Sequence, residues 1–421
     1  LGLPEIPAGD LGVGMVFLPN PGTPGAGERL DRCVRLLEAA AAGQGLTVLG
    51  WRPVPVGREA LGERTLPTCP EIRQVLIARP PHVPREEFER LLYLCRRRAE
   101  RDVLREGIGD FYIPSFSSRT LVYKGLMVAP QLTHFYPDLE DPLFESALGL
   151  FHQRYSTNTF PTWFLAQPFR FLGHNGEINT RQGNQNWMRA REPRLRSALW
   201  GDRLAELLPV IQKGGSDSSD LDNVLELLVM SGRDPLHAMM LLVPEAYQNM
   251  PHMDAELAAF YEYHATLCEP WDGPAALAFS DGRIVAATLD RNGLRPARYA
   301  VTRDGLVVMG SEAGLLPLDE GRIIEKGRLG PGRMLAVDTV QQRLLHNEEI
   351  KCEYARRRPY GEWVRRYLVR PHLLDLNTGS GVQAFRRSGV QAIGNDNNQP
   401  ISDFAGPERL NARTPERLTR C

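Results

Sequence analysis

The sequence of 421 residues has few cysteines, no excess of charge and no long apolar run. Its six cysteines are scattered and form no Cys-x-x-Cys pair, which argues against an iron–sulfur or zinc site and against a secreted disulfide framework. The nine histidines form no His-x-x-x-His pair, so a metal site has no signature there either. We therefore expect no metal and no cofactor in this chain.

The charge balance and the hydropathy also indicate which classes of partner the protein is not expected to have. A net charge of −1 gives no reason to expect a nucleic-acid surface. No apolar segment approaches the length of a membrane span, and the first residues lack a signal-peptide pattern. The sequence thus predicts a cytoplasmic protein with no nucleic-acid and no membrane partner. With 42% hydrophobic and 24% charged residues, its composition is that of an ordinary globular protein.

Strand and helix signals alternate over the first 125 residues or so. Short apolar runs predict strands, and apolar residues at helical spacing predict helices. Two runs of three arginines, 96–98 and 356–358, are expected to be solvated helix faces. Gly12 and Gly14 are expected to serve strand packing, because the third glycine of a dinucleotide-binding loop is missing. The predicted strands are 11–18, 47–54, 72–78 and 118–128, and the predicted helices are about 28–42 and 85–105.

The middle and the end of the chain carry different patterns. Residues 202–268 are predicted to be mostly helical, with Asp220 as the N-cap of one helix and Gly232 as its end. Residues 377–421 are rich in Gly, Asn, Arg and Ser and lack periodicity, so they are predicted to be disordered or weakly folded.

After Pro274 the pattern changes to apolar segments that are separated by turn dipeptides. Such dipeptides adopt positive φ and suit tight turns between antiparallel strands. We therefore predict an α/β or α+β protein with a substantial antiparallel sheet. The turn dipeptides are Asp281-Gly282, Asn292-Gly293 and Asp304-Gly305.

Four residues between positions 152 and 218 could together hold a free amino acid while its side-chain amide is attacked. Arg154 can bind a carboxylate with two hydrogen bonds, and Asp217 can accept from an ammonium. Asn175 and Gly176 can offer N–H donors to a developing oxyanion. Singly, these residues also fit a strand-end salt bridge, a simple turn and a helix-capping loop. Only their combination in this order indicates amide chemistry.

A long segment that contains Arg154, Asn175 and Gly176 resembles a known family. The segment HQRYSTNTFPTWFLAQPFRFLGHNGEINTRQGNQNWMRARE resembles the class II glutamine amidotransferase domain of the glutamate synthase large subunit. The resemblance continues through GGSDSSDLDNVLELLV and ATLDRNGLRPARYAVTRDGLVVMGSE and covers roughly residues 10 to 370. It implies an N-terminal-nucleophile hydrolase fold, an αββα sandwich that here lacks its first strands. The domain is expected to span residues 1–376, with an inserted α/β segment at about 11–107.

The resemblance also implies roles for individual residues. Arg154 would bind the glutamine carboxylate, Asp217 would bind its amino group, and Asn175 with Gly176 would form the oxyanion hole. The segment Asp290–Pro296 is expected to be a sheet turn that supports the pocket. The remaining residues implied to line the pocket or to lie near it are Thr157, His174, Gly215 and Ser218.

In the intact enzyme, the resemblance implies that glutamine and 2-oxoglutarate yield two molecules of glutamate. Ammonia would be released from L-glutamine in this domain and used in a separate synthase domain. That second domain would hold FMN and an iron–sulfur cluster, with electrons from an NADPH-oxidising small subunit or from ferredoxin. None of these cofactors is expected in the present chain.

The chain departs from the family at its start. Family members begin, after processing, with Cys-Gly-Val-Gly and carry a downstream His-Arg-Gly segment whose arginine helps to hold glutamine. This chain begins Leu1-Gly2-Leu3 and contains neither segment. We expect that it starts inside the family's domain, that it binds glutamine weakly and that it has no glutaminase turnover.

Two other functions are compatible with parts of the pattern. One is a non-catalytic pseudo-amidotransferase that binds glutamine or glutamate. The presence of Arg154, Asn175 and Asp217 is compatible with such binding. The other is a different class II enzyme, such as a phosphoribosyl-pyrophosphate amidotransferase. The FPTWFLAQPFR segment before His174 disfavours the latter, because it resembles glutamate synthase in particular.

Overall fold

A computed structural model describes residues 5–155 and 159–369 of the chain. Three antiparallel sheets with helices packed against them form the architecture, which fits the predicted α/β or α+β class. The strands are β1 (Leu11–Leu18), β2 (Thr47–Pro53), β3 (Glu71–Ala78), β4 (Tyr112–Ser117), β5 (Leu172–Gly176), β6 (Ala275–Ser280), β7 (Ile284–Leu289), β8 (Arg298–Thr302), β9 (Val307–Gly310), β10 (Ile323–Arg328), β11 (Met334–Asp338) and β12 (Arg343–Leu345). The helices are α1 (Ala26–Ala42), α2 (Arg85–Arg105), α3 (Leu132–Phe135), α4 (Arg181–Arg191), α5 (Asp217–Met230), α6 (Pro235–Leu242), α7 (Ala255–Ala265), α8 (Asn347–Arg356) and α9 (Tyr360–Tyr367).

Residues 11–117 form a βαββαβ unit with the strand order β2-β3-β1-β4. Residues of β1 alternate between two cores, as a strand covered on both faces requires. Val16 and Leu18 pack with α1 and α2, whereas Met15 and Phe17 face the opposite side. A Cβ at Gly14 would lie 2.6 Å from Val75 Cγ1, so this glycine allows close packing of β1, as predicted.

The first three predicted strands and both predicted helices of this unit are confirmed, with bounds that shift by at most two residues. The predicted strand at 118–128 is wrong, because the backbone there bonds to side chains instead of to a neighbouring strand. Glu89 on α2 accepts the backbone N–H of Ser118 at 2.6 Å, and the backbone N–H of Val122 donates to Ser115 Oγ at 3.0 Å. The strand of this region is β4, which ends where the predicted one begins.

The second half of the chain is layered. The sheet β12-β11-β7-β6-β5 presents one face of β6, including Leu277 and Phe279, to a core shared with α5, α6, α7 and α8. The opposite face, including Ala276 and Ala278, packs against the sheet β10-β8-β9 through Tyr299. Helices, a first sheet and a second sheet are therefore stacked in that order.

Two of the three predicted turns are hairpins. Gly282 joins β6 to β7 with φ of 86°, and Gly305 joins β8 to β9 with φ of 89°. The prediction of a hairpin at Asn292-Gly293 is wrong, because β7 and β8 belong to different sheets and this turn carries the chain between them. Gly293 also has positive φ there, but it packs against Pro331.

The predicted N-cap at Asp220 is wrong as well. Helix α5 begins three residues earlier, because Ser216 Oγ accepts the backbone N–H of Ser219 at 3.2 Å and caps the helix. Asp220 therefore lies within the first turn and is fully buried. The predicted end is confirmed, since Gly232 follows the helix with φ of 91°.

The expectation of a solvated face is wrong for two of the arginines at 96–98. Arg96 is 1% exposed and pairs with Glu100 at 2.9 Å and with Glu226 of α5 at 2.5 Å. Arg97 is 7% exposed and donates to the carbonyl of Leu207 at 3.0 Å. Helix periodicity alone does not show that α2 is covered on this side by α5, which is why the run was expected to be solvated.

We expect Arg96→Met to lower the free energy of unfolding by about 3–5 kcal/mol, because it leaves buried carboxylates without their cation. Arg98→Met is the matched control, since the Arg98 side chain is 39% exposed and lies 3.7 Å from Asp102. It should change stability by no more than about 0.5 kcal/mol. Urea unfolding measures both. Equal effects of the two substitutions would contradict a buried role for Arg96.

Candidate active site

Three of the predicted site residues lie at the end of β5. This strand is an edge strand paired only with β6 among the described residues, with Asn175 opposite Ala276 and Gly176 opposite Ala275. Gly176 has φ of 152°, and a Cβ there would lie 1.8 Å from the carbonyl oxygen of Pro274. Only glycine fits at this position. Asn175 is exposed, so its side chain is available to a ligand.

The start of α5 docks onto this end of β5 through two hydrogen bonds. Asp217 Oδ2 accepts the backbone N–H of Ile178 at 2.8 Å, and Ser218 Oγ lies 2.8 Å from His174 Nδ1. Residues that are about forty positions apart in the sequence are thereby brought together. The site contains His174, Asn175, Gly176, Gly215, Asp217 and Ser218.

His174 is buried and neutral. Burial lowers the pKa of His174 from 6.5 to about 4, although the nearby Asp217 carboxylate opposes the shift. A ring that donates from Nδ1 to Ser218 Oγ allows that hydroxyl to donate to Asp217 Oδ1, which lies 3.2 Å away. His174 thus holds Ser218 and Asp217 in place as an uncharged ring.

Gly215 lies beneath the site and not at its surface. A Cβ at Gly215 would lie 2.4 Å from Ser219 Oγ, so the loop could not pack as it does with a larger residue. The carbonyl oxygen of Gly215 accepts from Arg181 at 2.5 Å, and Arg181 also donates to Asp220 at 2.7 Å. Arg181 and Asp220 are contributors to the site that the sequence did not indicate, because only the fold brings α4 against α5.

Arg154 lies on an exposed segment beside β5. Its backbone N–H donates to His152 Nδ1 at 3.3 Å, and a Cβ at Gly173 of β5 would lie 4.0 Å from His152 Cβ. Within the described residues, the guanidinium of Arg154 makes no hydrogen bond and no ion pair, so it is available to a carboxylate. Thr157, which was also predicted near the pocket, lies outside the described residues.

Two neighbours support the end of β5 from either side. Asp290 Oδ1 accepts the backbone N–H of Ala275, the partner of Gly176, at 2.9 Å, so the turn at 290–296 supports the pocket as predicted. Gln167 bonds to the backbone of His174 through both ends of its amide, at 3.0 and 2.7 Å. Gln167 carried no signal beyond its place in the FPTWFLAQPFR segment.

The free cysteines of the described residues cannot act as nucleophiles in this site. All four are buried, and burial raises the pKa of Cys33, Cys95 and Cys268 to about 12 and also raises the pKa of Cys69. At neutral pH they are therefore thiols and not thiolates. Cys33 and Cys95 lie in the core of the first unit, and Cys268 lies in the core beneath β6.

Within residues 5–155 and 159–369, no group of three or more His, Cys, Asp or Glu side chains is arranged to hold a metal ion. No helix in this part of the chain is both long and apolar enough to cross a membrane.

We expect the neutral state of His174 to make folding stability depend on pH. Its pKa is lower in the folded than in the unfolded chain, so stability is lost as the pH falls from 6.5 to about 4. Over this pH range, the free energy of unfolding of His174→Asn should fall by roughly 3 kcal/mol less than that of the wild type. Urea unfolding at several pH values measures the difference. Identical pH dependence of the two proteins would show that His174 titrates normally.

Comparison with known proteins gives the site a context. The family described as glutamine amidotransferases class-II matches residues 2–363. A "Ferredoxin-dependent glutamate synthase 2" of Synechocystis sp. is 49% identical over 368 residues, which are 86% of this chain and 23% of that protein. A "Glutamate synthase [NADPH] large chain" of Azospirillum brasilense is 47% identical over 359 residues, which are 85% of this chain and 23% of that protein. The chain thus spans about a quarter of the length of these relatives.

A solved structure of glutamine phosphoribosylpyrophosphate amidotransferase from B. subtilis also matches. It is 13% identical, with a TM-score of 0.23, over 78% of this chain and 47% of that one. The family match covers most of the chain, and the two relatives are identical to it at almost half of the aligned positions. The chain belongs to the class-II glutamine amidotransferases.

Proposed function

We propose that this chain provides the glutamine-binding pocket and the oxyanion hole of a glutaminase site. The observation that carries this proposal is the docking of the start of α5 onto the end of β5. Asp217 accepts the backbone N–H of Ile178, two residues after Gly176, which supports a site that one small molecule could share with Asn175 and Gly176.

Each residue has a definite task in such a pocket. The Asp217 side chain is 13% exposed and can accept from an α-ammonium in addition to its bond with Ile178. The guanidinium of Arg154, which has no ion pair within the described residues, would bind the α-carboxylate. Asn175 and Gly176 would donate to the amide oxygen, on which negative charge develops when the amide is attacked.

Hydrolysis of the bound amide to glutamate and ammonia also requires an activated nucleophile. The buried thiols of the described residues do not provide one, since each has a raised pKa. We therefore propose that residues 1–421 bind glutamine without hydrolysing it.

We further propose that the chain belongs to the ammonia-releasing domain of a glutamate synthase, to which it contributes the glutamine pocket. The ammonia would convert 2-oxoglutarate into glutamate, with FMN and an iron–sulfur cluster supplying the electrons elsewhere in the enzyme. The described residues show no ligand set for such a cluster, so no step of that reaction is assigned to them. Relatives named for ferredoxin and for NADPH are 49% and 47% identical, so the proposal includes either electron donor. A soluble enzyme of the cytoplasm fits this role.

We predict that Asp217→Asn raises the dissociation constant for L-glutamine by about 10- to 100-fold, because a charge-assisted hydrogen bond to the ammonium is lost. Asp31→Asn on the exposed face of α1 makes the same chemical change away from the site and should bind like the wild type. Isothermal titration calorimetry measures both. If Asp217→Asn binds glutamine as tightly as the wild type, Asp217 does not hold the ammonium.

We also predict that the purified chain releases no ammonia from L-glutamine above the uncatalysed rate. A coupled glutamate dehydrogenase assay detects ammonia directly. Turnover that survives at saturating glutamine would rule out the binding-only function and would require a nucleophile other than the buried cysteines.

A further inference from the structure

We propose that Gln167 is a positioning residue that aligns the oxyanion hole and thereby makes the site selective for an amide side chain. This inference rests on the proposed glutamine-binding function. Gln167 lies outside the set of residues predicted to contact glutamine, and it acts through the backbone of β5.

The amide of Gln167 occupies the open edge of β5. Its Nε2 donates to the carbonyl oxygen of His174 at 3.0 Å, and its Oε1 accepts the backbone N–H of His174 at 2.7 Å. This is the pair of bonds that a neighbouring strand would make. The side chain of Gln167 thus makes the two hydrogen bonds that one residue of a neighbouring strand would make at the edge of the sheet.

The alternating direction of the backbone N–H groups along β5 relates the hydrogen bonds of Gln167 to the N–H of Gly176. In an antiparallel strand, residues two apart direct their N–H groups to the same edge. Glu177 follows this rule for the other edge, because its N–H donates to the carbonyl of Pro274 before β6 at 2.9 Å. The N–H of Gly176 therefore faces the same open edge as that of His174. Gln167 occupies this edge at His174 and leaves it open at Gly176, where an amide oxygen could bind.

The segment that carries Gln167 is itself anchored by a buried lysine. Lys124 is 2% exposed, and its Nζ donates to the carbonyls of Phe164 at 2.9 Å and Ala166 at 2.8 Å. Lys124 Nζ also lies 4.8 Å from the centre of the Phe169 ring. Both sides of Gln167 are therefore held, and its amide is fixed relative to β5.

The test compares two ligands that share their α-groups. L-glutamine carries the side-chain amide, whereas L-norvaline has an unbranched apolar side chain without it. Because Gln167 acts only on the amide-binding end, Gln167→Glu should weaken glutamine binding roughly tenfold and change norvaline binding less than twofold. The glutamate side chain has nearly the same shape, but as a carboxylate it cannot donate to the carbonyl of His174. Gln341→Glu, in an exposed turn, is the matched control and should bind both ligands as the wild type does.

A second measurement addresses the hydrogen bond itself. In the wild type, saturating glutamine should shift the NMR signal of the Gly176 amide proton downfield, and this shift should be lost or reduced by more than half in Gln167→Glu. Gln167→Met, which removes both bonds without adding charge, should behave in the same way if the charged variant fails to fold.

The outcomes separate this inference from the proposed function. If the wild type does not bind glutamine, the proposed function is wrong. If the wild type binds glutamine but the Gln167 variants weaken both ligands equally, weaken neither, or keep the Gly176 shift, the positioning role is overturned.

Discussion

The carboxylate of Asp222 sets the relation between α5 and β5, on which the site depends. It is fully buried and accepts the backbone N–H groups of Arg170, Phe171 and Leu172 at 3.3, 2.8 and 3.2 Å. Helix α5 thus holds the start of β5 through Asp222 and its end through Asp217 and Ser218. Burial raises the pKa of Asp222 to about 6, against the effect of Arg170. The three backbone donors and this cation offset the cost of a buried charge.

The βαββαβ unit takes part in the same constraint. Glu100 of α2 pairs with Arg170 at 3.0 Å, and Arg96 pairs with Glu226 of α5 at 2.5 Å. These buried charges join residues 11–117 to the strand and the helix that form the pocket. The unit is therefore a support for the site and not an independent appendage. Its division from the rest of the chain at about residue 107 remains a prediction, and so does the tail at 377–421, which lies outside the described residues.

The sequence predicted the elements whose cause is local. Apolar spacing was sufficient for β1 and α2, and turn dipeptides were sufficient for the β6–β7 hairpin. The predictions from the sequence failed where contacts with residues elsewhere in the chain determine the structure. At 118–128, Glu89 and Ser115 accept backbone N–H groups in place of a strand partner. Arg96 is buried because α5 covers it. The family resemblance indicated the residues around Asn175 and Asp217, but not Gln167 or Arg181. Their partners are known only once the chain is folded, because local periodicity contains no information on such contacts.

We propose that one small amino acid is held between α5 and β5, with its amide at the open edge of the strand. A structure of the chain with bound L-glutamine would test this arrangement. We expect the ammonium within hydrogen-bond distance of Asp217, the carboxylate at Arg154 and the amide oxygen at Asn175 and Gly176. Glutamine bound elsewhere, or bound here with its amide directed away from Gly176, would contradict it.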